Sequence, residues 1–153
     1  MQTVIVRGEM VVEDATRIDA PPDVVWEVTR DIERWPEWTP TVTSVTRLDD
    51  GPLRIGSVAR IRQPWQPEGA WVVTELASGR RFAWETRRSG LYMVGTHELS
   101  PDGPGTRTAL RVEAKGVLAV LIWPVLRLAM RRALAAENRG LKRRCEGIVA
   151  TRS

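Results

Sequence analysis

Between Val42 and Lys115 the chain divides into six short β-rich segments, and after Gly116 it continues in helix-forming residues to about Glu146. That order is the strongest constraint on the fold. The segments are Val42 to Leu48, Ser57 to Gln63, Trp71 to Leu76, Arg81 to Thr86, Leu91 to Ser100 and Thr106 to Lys115. Each ends at a turn-forming group such as Asp49-Asp50-Gly51-Pro52, Pro64, Ser78-Gly79, Ser89-Gly90 or Pro101-Asp102-Gly103-Pro104-Gly105. Hairpin-length breaks between consecutive strands predict an antiparallel meander.

Val4 to Ile18 alternates and is rich in Val and Ile, so it reads as a further strand. Pro21-Pro22-Asp23 then opens a short helix to Arg30, because proline suits a first helical turn and aspartate its positive end. Ile32 to Trp38 reads as a second short helical turn, limited by Pro36 and Pro40. In the last segment Pro124 implies a separate first turn or a kink. Beyond it Leu126, Met130, Ala133 or Leu134, Glu137, Leu141 and Cys145 recur at helical spacing and form the stripe that faces the sheet.

Strands and helices segregated in this way give an α+β fold: a seven-stranded curved antiparallel sheet around one long C-terminal helix, with two short helices after the first strand. Its 153 residues suit a single domain over 1–153. One helix cannot fill the whole concave face of such a sheet, so a cavity is expected between them. Seven tryptophans against one Phe and one Tyr suit the walls of a pocket as well as a core.

Several classes are set aside on composition. Cys145 is the only cysteine, which excludes an internal disulfide and points to a reducing cytoplasm. The first nineteen residues lack the apolar run of a secretory signal. Val117 to Leu126 is the longest apolar run and falls short of the roughly 20 residues a membrane span needs. The net charge of +4 is concentrated in the last helix, where eight Lys or Arg between Arg127 and Arg152 face two Glu. A solvated helix face accounts for this, the alternative being an anionic partner such as a lipid headgroup. No reading motif accompanies the charges, so nucleic acid is not expected as a partner. A lone histidine and a lone cysteine leave no set of zinc ligands, there is no Gly-rich phosphate loop, and no serine has a nucleophile-elbow context; neither metal nor cofactor is expected.

The order of elements, together with Ala20-Pro21-Pro22-Asp23-Val24-Val25-Trp26 and Asp31-Ile32-Glu33-Arg34-Trp35-Pro36-Glu37-Trp38, resembles the START-like or SRPBCC superfamily. More closely it resembles the polyketide cyclase/dehydrase family. Arg62-Gln63-Pro64 ahead of Trp71, Arg81-Phe82-Ala83-Trp84-Glu85, and His97-Glu98-Leu99 followed by Gly105-Thr106-Arg107 extend the likeness over roughly residues 10 to 147. The resemblance implies a helix-grip fold with a deep hydrophobic cavity. Its members bind lipids, hormones, quinones or polyketides, and a minority catalyse cyclisation, dehydration or hydrolysis. Fold alone does not choose among these.

Alternation puts Phe82 and Trp84, then Met93, Gly95, His97 and Leu99, then Leu110, Val112 and Ala114 on the concave side. For Trp71 to Leu76 both faces carry apolar residues and the parity is ambiguous. His97 sits among apolar neighbours and can orient a phenol or ketone or move a proton; the other reading is a satisfied core histidine. Glu137, on the sheet-facing stripe, requires a partner, and Arg60, Arg62 or His97 can supply it. The pair reads as an acid/base couple or as a structural bridge. Trp35, Trp38, Trp65 and Trp123 are expected near the cavity mouth, with Trp26 and Trp38 as packing residues. Trp35, Gln63, Trp65, Phe82, Trp84, Tyr92, Met93, His97, Leu126 and Met130 make up the expected ligand contacts. Three functions follow: a module binding a small hydrophobic molecule, a cyclase or dehydrase using His97 with Glu137, and lipid handling at an anionic membrane surface.

Overall fold

The computed structural model describes residues 10–64 and 66–152. Seven strands form one antiparallel sheet: β1 (Met10–Ile18), β2 (Ser44–Arg47), β3 (Val58–Gln63), β4 (Gln66–Ala77), β5 (Arg81–Arg88), β6 (Leu91–Asp102) and β7 (Gly105–Lys115). Their order across the sheet is β1-β7-β6-β5-β4-β3-β2. The six later strands pair in sequence, as hairpin-length connections demand, and β1 closes the other side by pairing with β7 from Met10↔Ala114 to Ile18↔Thr106. The expected start of this strand at Val4 lies outside the described residues.

The chain leaves β1 at one edge and re-enters the sheet at β2 on the other. It makes the crossing with α1 (Pro22–Arg30) and a 3-10 turn over Ile32–Glu37. α1 starts at a proline and turns Val24, Val25, Trp26 and Thr29 inward. The last element, α2 (Val117–Arg152), is one unbroken helix through Pro124. The separate first turn that Pro124 suggested is not present. The carbonyl that Pro124 leaves without an intrahelical donor belongs to Val120, an exposed residue.

α2 lies on the concave face with Leu126, Met130, Leu134, Glu137, Leu141 and Cys145 buried, the stripe expected from helical spacing. Asn138 fixes its rotation. The amide donates to Asp14 Oδ2 at 2.8 Å and to the Asp14 carbonyl at 3.0 Å, and its oxygen accepts from Thr108 Oγ1 at 2.9 Å. Farther on, Gly140 lets the helix meet the Trp38 carbonyl, since a Cβ there would stand 1.9 Å from that oxygen.

One strand departs from simple reading in two ways. β4 begins at Gln66, although Gln66-Pro67-Glu68-Gly69-Ala70 has the composition of a loop. Its pairing with β5 begins only at Val72, so Pro67 sits where that side of the ladder needs no donor. β5 side chains take over there: Arg88 Nη2 donates to the Pro67 carbonyl at 2.6 Å and Thr86 Oγ1 to that of Ala70 at 2.7 Å. A bulge between Val73 and Glu75 then resets the register, so that Val73 opposes Trp84 and Leu76 opposes Phe82. Opposed residues share a face, which turns Trp71, Val73 and Leu76 inward and leaves Val72 outside.

Candidate functional site

The floor of the concave face is a row of rings. Phe82 opposes His97 and Trp84 opposes Gly95 across the β5–β6 ladder. His97 and Phe82 stack at 5.2 Å between centroids with planes 15° apart. Gly95 has no side chain to keep Trp84 off the sheet; a Cβ would lie 3.3 Å from the indole nitrogen. Trp71 leans on Trp84 at 5.5 Å. From the 3-10 turn Trp35 reaches down onto the row, 5.2 Å from both Trp84 and His97. Its indole N–H donates to the Thr29 carbonyl at 3.0 Å, so α1 orients the ring.

Above this floor α2 brings Glu137 to His97, with Nδ1 3.6 Å from Oε2. Arg60 and Arg62 are not partners, because the buried Ala59 and Ile61 alternate with them and put both on the exposed face. Removal from water disfavours the charged form of each group. It lowers His97 to about 4 and raises Glu137 to about 8. At neutral pH the pair is therefore a free imidazole beside a protonated carboxyl. The separation is slightly beyond a hydrogen bond, so the two retain donor and acceptor capacity toward the space they line.

That space is a cavity of about 70 Å³ bounded by Trp35, Gln63, Trp71, Trp84, Met93, His97, Leu110, Met130, Leu134 and Glu137, among others. It has room for a few waters at about 10–15 Å³ each and is well below the roughly 300–1,000 Å³ of drug-sized ligand pockets. The sheet and α2 do leave a gap, as expected, but the gap is narrow because tryptophans project into it. Met93 and Met130, both fully buried, give it an adaptable wall. Gln63 and Gln66, hydrogen-bonded to each other across the β3–β4 turn, line the end nearest that turn.

Of the expected contacts, Trp35, Gln63, Trp84, Met93, His97 and Met130 line the cavity, as does Glu137. Phe82 is fully buried behind His97 and supports that ring instead of meeting the cavity. Leu126 is buried under α2 but outside the lining. Tyr92 is on the other face of the sheet. Its neighbour Met93 points inward, so the phenol points out, donates to Glu85 Oε2 at 2.7 Å and lies under the Arg87 guanidinium. Trp38 and Trp26 are buried packing residues, Trp123 is half-buried against the core, and Trp65 lies outside the described residues.

Trp71, Gln66 and Asn138 were not among the expected site residues. Trp71 was hidden by the β4 bulge, which no local pattern announces. Gln66 fell in a stretch whose proline and glycine read as loop. Asn138 follows Glu137 directly, and a buried amide in a helix is a signal that something must bind it.

Against proteins of known structure, the chain superposes on the Zhui aromatase/cyclase from a Streptomyces species with a TM-score of 0.78 at 19% identity, covering 92% of this chain and 96% of that one. A START superfamily protein from Mycobacterium smegmatis matches with a TM-score of 0.76 at 17% identity, covering 92% and 99%. A norcoclaurine synthase from Thalictrum flavum matches at 0.73 and 14%, covering 99% and 100%. At these identities the likeness establishes the helix-grip fold and not the chemistry. Curated protein sequences yield no match. The family model described as polyketide cyclase/dehydrase and lipid transport matches residues 9–146, and this chain belongs to that family.

Proposed function

We propose that the protein holds a small, flat, largely apolar molecule between the sheet and α2, with one polar atom of the guest set against His97 and Glu137. The observation that carries this is the pair itself. Two buried polar side chains border a largely apolar cavity without hydrogen-bonding each other, so each keeps hydrogen-bonding capacity for a guest. A guest hydroxyl or carbonyl between them answers both. The tryptophans offer faces on which an aromatic ring stacks, each contact adding roughly 0.5–1.5 kcal/mol beyond area burial. Entry of a full ring system calls for Met93, Met130 or the Gln63–Gln66 pair to rotate aside.

The same pair favours a second reading, an enzyme of cyclase or dehydrase type. A carboxyl protonated at neutral pH is an acid and a free imidazole is a base, and both border the same cavity. Glu137 would donate to a carbonyl oxygen while His97 withdraws a proton from the adjacent carbon or hydroxyl.

Titration with 2-naphthol, read by quenching of tryptophan fluorescence, separates these from a solid core. Saturable quenching in the micromolar range that weakens in His97→Phe supports the binding reading. Absence of quenching at millimolar 2-naphthol, together with no retained small molecule in native mass spectra, removes it. Turnover of a linear polyketide analogue that is lost in His97→Gln with binding intact moves the function to catalysis.

A further inference from the structure

We propose that the N-terminal half of α2 is a docking surface for an anionic lipid bilayer. Val117, Val120, Leu121, Val125 and Leu128 are between 51% and 74% exposed, unusual for five large aliphatic side chains in three turns. At 100° per residue they share roughly 140° of the helix surface. The buried Ala119, Leu126 and Met130 lie on the opposite side, so the exposed set makes no contribution to the core. Contiguous apolar surface of this kind marks an interaction site.

Charge selects the occupant. From Val117 to Ala136 the chain has no Asp or Glu. Arg127 borders the apolar arc, and Arg131 and Arg132 continue it past Leu128; all three are exposed and, among the described residues, have no carboxylate partner. Elsewhere at this end Glu85 and Glu113 stand within ion-pair distance of Arg87 and Lys115, so they do not offset the three arginines. A second copy of the chain would set the same arginines against each other with no carboxylate to receive them. An anionic bilayer supplies apolar depth for the aliphatic arc and negative headgroups for its basic border. None of the described helices is long and apolar enough to cross a membrane, so α2 would lie on the surface. Met130 and Leu134, two and six residues beyond Leu128, belong to the cavity wall, which places the docking surface next to the guest site.

The test is vesicle co-sedimentation without any guest, so it stands apart from the reading of the cavity. Wild-type protein is expected to sediment with phosphatidylcholine/phosphatidylglycerol vesicles at low salt, far less with phosphatidylcholine alone, and to be released as salt is raised. Replacing Arg127, Arg131 and Arg132 by Gln is expected to weaken binding roughly a hundredfold, at about fivefold per charge. Leu121→Ser with Val125→Ser is expected to abolish it at unchanged melting temperature, since neither side chain is in the core. No sedimentation with anionic vesicles at low salt overturns the proposal. So does binding that survives both sets of substitutions, or a dimer in sedimentation velocity that Leu121→Ser dissociates.

Discussion

His97 on β6 and Glu137 on α2 face each other with Nδ1 3.6 Å from Oε2, and burial alone holds both uncharged. Their contributions to stability run in opposite senses. Glu137 holds its proton more tightly when folded, so its contribution is full below the ordinary 4.5 and is lost as pH rises toward 8. His97 sheds its proton on folding, so its contribution is full above 6.5 and is lost as pH falls toward 4. The two cancel between 4.5 and 6.5, and Glu137 acts alone above that. Denaturant melts are expected to show a level unfolding free energy across the first window and a fall of about 2 kcal/mol between pH 6.5 and 8. Glu137→Gln removes that fall. The same fall in the glutamine variant would assign it to another group.

A carboxyl kept in an apolar cavity is a burden on the fold. Glu137→Leu is expected to raise stability at pH 8 by about 2 kcal/mol, as apolar replacement of buried ionisable groups often does. It also removes the polar contact for the guest, so 2-naphthol affinity is expected to drop about tenfold. Opposite movement of stability and binding, measured on one preparation, separates a functional glutamate from a structural one.

Gly140 is placed where two general effects conflict. Alanine in a helix interior is favoured over glycine by about 1 kcal/mol. Here its Cβ would stand 1.9 Å from the Trp38 backbone oxygen, and overpacking against backbone costs about 3 kcal/mol. Gly140→Ala is therefore expected to lower unfolding free energy by about 2 kcal/mol in urea melts. A stabilised variant would mean that α2 is not seated on Trp38.

Asn138 joins α2 to β1 and β7 through Asp14 and Thr108. Asn138→Ala leaves the Thr108 hydroxyl and the Asp14 carboxylate without that partner and is expected to cost about 3 kcal/mol. Because the amide sets the helix rotation that presents Glu137, guest affinity is expected to fall as well. Loss of stability with affinity unchanged would show that Leu134 and Leu141 suffice to hold the rotation.

Much of this arrangement was legible residue by residue. Period-two alternation put Trp84, Met93 and His97 on the concave face, and helical spacing put Glu137 over them, because both patterns report which side of a regular element is dry. The same alternation, applied to Tyr92, points its side chain away from Met93 and out of the cavity, against its place among the expected ligand contacts. What escaped reading depends on pairing between distant strands. The bulge after Val73 changes which β4 side chains face in, and Pro67 is tolerated because pairing with β5 begins only at Val72, Arg88 and Thr86 serving the Pro67 and Ala70 carbonyls. The narrowness of the cavity depends on where the rings of Trp35, Trp71 and Trp84 settle, and spacing along the chain does not encode that.

His97 is the only histidine in the chain, so its ring protons give one resolved reporter at the centre of the proposed site. The most direct measurement is the NMR spectrum of that imidazole during titration with 2-naphthol near neutral pH. Binding between the sheet and α2 predicts a saturable shift of the His97 signals that is lost in Glu137→Leu at low naphthol. Resonances that stay fixed while naphthol quenches tryptophan elsewhere would contradict a guest beside His97 and Glu137.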